Sequence, residues 1–331
     1  MTVPATPARA RTSHLGNVVR SAVALLIVAA IGYAVVSEWD DVGRALGTLT
    51  WDGVALSFGA ALAGMASAAL AWRSLLAGEG YRLPVWAAGR IFLVGQLGKY
   101  LPGSIWSVVL QTQLARGEGI PRARAFTTSL AYVGLSLSSA LVVGLVGLPV
   151  VASMDAPLAW TLVAILPVAL ICTHPRVLTV LVDLILRLLR KPLLPRPFTW
   201  RAVATAYGWL VVTWLLYGAH LWLLADSLGA PGWDGYVRSV GGFALAVTAG
   251  ALFVVVPSGA GVREGLIVAA LAGVMTTGEA LGVAVASRAV FTTADVTAAG
   301  LAALAAAQLS QRGAAEVKPR DRLRATSPST R

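Results

Sequence analysis

Five ionisable residues stand where apolar flanks place them at membrane depth: Lys99, Arg263, Glu264, Arg288 and Asp295. A charge at the bilayer centre costs about 2.5–3.5 kcal/mol on insertion scales, so such residues face a partner or a wet cavity. Lys99 and Tyr100 lead into a break at Pro102-Gly103, and Ser104 is placed to cap the helix after it. A helix start offers unpaired N–H groups and partial positive charge, which with a lysine makes a phosphate site. Snorkelling of Lys99 to an interface is the competing reading.

A second break, Pro257-Ser258-Gly259-Ala260-Gly261, precedes Arg263 and Glu264. Its glycines let a ligand approach the backbone, and Arg263 has the planar fork that grips a phosphate. An internal salt bridge, or a contact with a carbonyl of the first break, is the alternative for Arg263. Glu264 suits the helix dipole and reads as structural. Arg288 and Asp295 lie seven apart on one helix face, too far for a close pair, so each needs a partner elsewhere. Arg288 reads as a further headgroup cation. Asp295 reads as an ion-coupling residue or a structural hydrogen-bonding group.

Apolar runs long enough to cross a bilayer occur near 18–36, 53–72, 124–149, 157–173, 201–225 and 281–309. Interrupted pairs occupy 84–101 with 104–115 and 236–256 with 262–275. In 331 residues, 57% are hydrophobic and 12% charged, and mean hydropathy is +0.76. Water-soluble domains carry about a quarter charged residues, so this is an all-α polytopic membrane protein. The net charge of +11 does not indicate nucleic acid, because the cations cluster in short loops and at the two ends. The lone Cys172 excludes an internal disulfide, and no metal, nucleotide or cofactor motif occurs.

Basic and acidic segments alternate if each interrupted pair enters and leaves by one face. The positive-inside rule then places both termini in the cytoplasm. Helix, broken pair, helix at about 53–149 recurs inverted at about 201–309, as in transporters built from inverted repeats. Re-entrant pairs and full crossings both remain open. The expected organisation is a cytoplasmic tail over 1–16, a membrane domain over 17–310 and a disordered basic tail over 311–331. Val177–Arg190 reads either as an interfacial helix or as an extension of the helix before it. Gln96, Gln111, Gln113 and His220 read as packing residues. Trp72, Trp86, Trp106, Trp160, Trp200 and Trp233 read as interface anchors, and Gly59, Gly64, Gly134, Gly144 and Gly250 as sites of close helix approach.

Gly95-Gln96-Leu97-Gly98-Lys99-Tyr100-Leu101-Pro102-Gly103-Ser104-Ile105-Trp106, then Pro257-Ser258-Gly259-Ala260-Gly261-Val262-Arg263-Glu264-Gly265, then Arg288 together resemble the lysylphosphatidylglycerol synthase transmembrane-region family, also called flippase-like membrane proteins. The resemblance covers about residues 15–310. It implies movement of a lipid or lipid-linked headgroup between leaflets of a bacterial cytoplasmic membrane. In the best-known members an aminoacyl-transferase domain follows; none is present in this sequence, so the expectation is a non-enzymatic, stand-alone transporter. The expected partners are an anionic phospholipid, glycolipid or polyprenyl-phosphate-linked substrate, the bilayer itself and cell-envelope enzymes. The rival expectations are an intramembrane transferase on a lipid phosphate and a non-transporting scaffold.

Overall fold

Long apolar stretches in a low-dielectric solvent must satisfy every backbone group internally, and helices do this within one segment. The computed structural model describes residues 39–100, 105–145, 156–194, 196–229, 232–252 and 261–325, and every regular element among them is helical. In chain order these are α1 (Trp39–Thr48), α2 (Trp51–Gly78), α3 (Val85–Gly89), a π turn (Arg90–Val94), a 3-10 turn (Leu97–Tyr100), α4 (Trp106–Gly117), α5 (Arg122–Gly144), α6 (Ala156–Cys172), α7 (Pro175–Leu188), α8 (Trp200–Asp226), α9 (Gly232–Leu252), α10 (Val262–Leu271) and α11 (Thr277–Ala325).

Four of these are long and apolar enough to cross a membrane: α2, α5, α8 and the Thr277–Leu309 part of α11. Among the described residues these four match the crossings expected at 53–72, 124–149, 201–225 and 281–309, and α6 with α7 makes a fifth if the two count as one broken span. The expected helix at 18–36 lies outside the described residues, as do the 1–16 tail and residues 326–331. The helix expected at 157–173 is α6, 17 residues long with Pro167 inside it. Val177–Arg190 does not extend it, because the chain turns by 86° between the two helices. His174 caps the new helix by accepting from the Arg176 N–H at 3.3 Å, and Pro175 opens it. Residues 311–325 continue α11 as helix, because extending an existing helix requires no new nucleus.

Helices α2 and α8 form the centre of the bundle and run antiparallel. At one end Thr50 Oγ1 lies 3.4 Å from Ser227 Oγ; at the other, Gly78 faces the Ala202 methyl. Midway, Ser57 donates to the His220 carbonyl at 2.9 Å, and a Cβ on Gly64 would sit 2.5 Å from the Tyr217 ring. This packing collects Asp52 and Asp226 at one end of the molecule and Glu79 and Arg201 at the other. Both helices open on the same pattern: Thr50-Trp51-Asp52-Gly53-Val54-Ala55 and Thr199-Trp200-Arg201-Ala202-Val203-Ala204. Each threonine caps its helix, accepting from the Gly53 and Ala202 N–H groups respectively at 3.3 Å. Both tryptophans are exposed, as interface anchors are.

The breaks leave short second arms. At about 1.5 Å per residue, α4 is about 18 Å long and α10 about 15 Å, roughly half the hydrocarbon thickness. In the first pair a Cβ on Gly98 would lie 2.5 Å from the Trp106 carbonyl carbon, and one on Gly95 would lie 2.4 Å from the Gln111 side chain. In the second, a Cβ on Gly242 would meet the Ala270 methyl at 2.3 Å. Each hairpin thus closes on glycine in its first arm. Among the glycines expected to admit close neighbours, Gly64 and Gly144 do so and Gly59 faces open space; Gly134 has Leu178 at ordinary contact, 3.8 Å.

The tryptophans divide. Trp106, Trp160, Trp200 and Trp233 are exposed, whereas Trp72 is fully buried and donates to Ser129 Oγ at 3.0 Å. Ser129 in turn donates to Gln111 Oε1 at 2.6 Å. Trp72 is a packing residue, not an interface anchor, because α3, α4 and α5 cover it.

Candidate functional site

The first broken arm changes its winding from α to π to 3-10 over Val85–Tyr100, and this delivers Lys99 and Tyr100 to the face of α11. Such π turns recur at functional positions. Lys99 Nζ lies 2.5 Å from Asp295 Oδ2, and the Tyr100 hydroxyl donates to the same oxygen at 2.6 Å. Lys99 therefore turns to a buried carboxylate and does not snorkel to an interface. Asp295 is 5% exposed.

Gly261 has φ +89, a conformation L side chains rarely adopt, and its N–H donates to Glu264 Oε2 at 2.6 Å. The Glu264 carboxylate thereby closes the first turn of α10. Its other oxygen accepts from Arg288 Nη1 at 2.6 Å. The ion pair considered for Arg263 thus belongs to Arg288. Arg263 instead donates from Nη2 to Ser287 Oγ at 3.2 Å. Its guanidinium carbon stands 4.8 Å from the centre of the Phe243 ring and 4.9 Å from that of Phe291, stacked by cation–π attraction. The Arg263 Nε is buried without a hydrogen-bond partner among the described residues. Ser287 also bonds His220 Nε2 at 3.0 Å, while His220 Nδ1 lies 2.6 Å from the Tyr217 carbonyl oxygen. His220 is a satisfied core residue.

Lys99, Tyr100, Arg263, Arg288 and Asp295 thus line one cleft, with Phe291 and Thr292 between them. Glu264 adjoins it through Arg288. The cleft holds about 20 Å³, which admits a water but no headgroup while the ion pairs are closed. Three cations meet two carboxylates, leaving an excess positive charge. Arg288 and Asp295 bracket residue 293, the midpoint of the 33-residue apolar stretch Thr277–Leu309.

Pro102, Gly103, Ser104, Pro257 and Gly259 lie outside the described residues. The helix that Ser104 was expected to cap begins at Trp106, with Ile105 in the cap position and no side-chain cap bond. Phe243, Ser287, Phe291 and Thr292 were not expected at the site. A sequence signal existed for Phe291, which lies three residues after Arg288 and four before Asp295 and so shares their helical face. Among the described residues, no group of three His, Cys, Asp or Glu side chains is placed to hold a metal.

Residues 18–300 match the family described as the lysylphosphatidylglycerol synthase TM region. No curated protein matches the chain.

Proposed function

We propose, because the chain belongs to the lysylphosphatidylglycerol synthase transmembrane-region family, that it is a lipid flippase-like transporter of a bacterial cytoplasmic membrane. Its cargo is a lipid with an anionic, phosphate-bearing headgroup. The observation that carries this reading is the convergence of Lys99, Arg263 and Arg288, from three separate segments, on one cleft halfway along a membrane-crossing helix.

Bringing three cations to that depth is costly unless anions balance them, and the protein supplies two. A phosphate completes the balance. It enters by displacing Asp295 from Lys99 and Glu264 from Arg288, while Arg263 stays held between Phe243 and Phe291 as the fixed cation. The acyl or prenyl tails remain in lipid. The antiparallel α2–α8 pair, their shared Thr-Trp-x-x-Val-Ala starts and the two glycine-closed hairpins support two inverted units that rock against each other. The basic end of the molecule faces the cytoplasm. Both deep carboxylates are engaged by cations, which argues against their use as general bases in a transferase.

Native mass spectrometry of the purified protein tests the site. Wild type and Arg116→Ala, altered at an exposed arginine outside the cleft, are expected to retain the same number of anionic lipids, and folded Arg263→Ala one fewer. Equal retention by all three, or retention of zwitterionic lipid only, overturns the assignment.

A further inference from the structure

Helix α7 presents three distinct sectors. At about 100° per residue, taking Leu178 as zero, Leu178, Val182 and Leu186 fall within about 80° and are buried against α5 and α8. Arg176, Asp183 and Arg187 fall at about 140–180°. Val180, Leu184 and Leu188 fall at about 200–280° and are 65%, 51% and 76% exposed. A soluble helix needs two sectors, one for core and one for water. A third, apolar and uncovered, has acyl chains as its solvent. The chain turns by 86° from α6 into α7, so α7 does not continue the direction of the helix before it.

The basic segment after α7 is held beside it. Asp183 Oδ1 accepts from the Leu194 N–H at 2.9 Å, and Thr179 Oγ1 accepts from the Phe198 N–H at 3.1 Å. The buried Phe198 ring pins the far end. The loop therefore doubles back along the helix, and Arg190, Lys191 and Arg196 are exposed on it with Arg176 and Arg187 nearby. The one acid of the helix, Asp183, is spent on the loop backbone. Arg190 has φ +53, a left-handed helix end where glycine is the usual residue. A cation stands there at a conformational cost.

We propose that α7 and its returning loop form a second lipid site, a platform that binds anionic phospholipid headgroups in the leaflet at the basic end of the molecule. The apolar sector enters the acyl region, and the arginines and Lys191 gather headgroup phosphates. This site is separate from the cleft and stands whether or not the protein moves lipid.

The test uses full-length protein in bilayers of zwitterionic lipid containing an equal small fraction of acyl-chain spin-labelled phosphatidylglycerol or phosphatidylcholine. A fluorophore is attached at Leu188→Cys in a Cys172→Ala background. Both quenchers are expected to reach it, the anionic one at least twice as effectively. Arg187→Gln with Lys191→Gln is expected to equalise them. Arg190→Gly is expected to reduce the preference without lowering the thermal midpoint, since glycine suits that backbone better. Equal quenching by both lipids in the unaltered loop overturns the anionic preference, and absence of quenching by either overturns the membrane placement. An Arg190→Gly protein that is as stable and as selective as its parent removes the role of that cation.

Discussion

The replacement Asp295→Asn separates a headgroup site from a packing network. It keeps an oxygen to accept from the Tyr100 hydroxyl at nearly unchanged volume, but removes the charge that neutralises Lys99. If the cleft receives an anion, Asp295 competes with it. A phosphate on Lys99 would lie about 6 Å from the carboxylate, where a unit charge at an effective dielectric of about 20 acts with about 3 kcal/mol, or about 100-fold in affinity. The Lys99 side chain is 34% exposed, and screening lowers the expected gain to about 10- to 30-fold. The assay is equilibrium binding of a short-chain anionic phospholipid to wild type and Asp295→Asn in matched nanodiscs, with size-exclusion profile and thermal midpoint recorded for each. Tighter binding by the asparagine variant is expected. Unchanged or weaker binding by a folded Asp295→Asn protein would refute the competition argument.

Arg288→Ala leaves the 5% exposed Glu264 without its cation and should cost about 2 kcal/mol of stability, below the full value for a buried pair because the arginine is partly exposed; a thermal melt of Arg288→Ala with Glu264→Gln should recover most of it. Gly98→Ala forces a methyl onto the Trp106 backbone and should destabilise by about 1–3 kcal/mol in the same measurement, whereas Gly59→Ala should be near neutral. Burial pushes the Glu79 carboxyl upward from its ordinary value of 4.5, against the opposing hydrogen bonds from Thr128 and Thr127 and the charge of Arg124. A raised acid contributes stability that is present below the unfolded value and lost as pH rises through the folded one. A pH series of melts should therefore show wild type losing stability relative to Glu79→Gln as pH rises from about 4.

The membrane class, the broken arms and the separate partners of Arg288 and Asp295 are legible in the sequence, because hydropathy, helix breakers and a seven-residue spacing are local signals. The identity of the partners is not. Lys99 and Asp295 are 196 positions apart, and only the irregular winding of the first arm brings them together. For Arg263 the sequence offers a phosphate grip, an internal salt bridge or a carbonyl contact, and gives no sign that Phe243 and Phe291, from two other helices, enclose it. Trp72 reads as an interface anchor because it lies near the end of an apolar run, yet three helices bury it. The repeated Thr-Trp-x-x-Val-Ala start is present in the chain, but six residues carry no weight until the two helices it opens are found packed antiparallel. For Val177–Arg190 the sequence leaves an interfacial helix and a helix extension both open, and the 86° turn at His174-Pro175 decides against extension.

Leaflet-resolved transport in proteoliposomes tests the central claim most directly. Reporter lipids with anionic phospholipid, lipid-linked sugar phosphate and zwitterionic headgroups would be followed by chemical accessibility from outside, with wild type, Arg263→Ala and Arg116→Ala reconstituted at equal density. Wild type and Arg116→Ala should exchange at least one phosphate-bearing anionic lipid between leaflets faster than protein-free vesicles, and Arg263→Ala should not. No acceleration of any anionic lipid by folded wild type, or equal acceleration by Arg263→Ala, would contradict headgroup passage through this cleft.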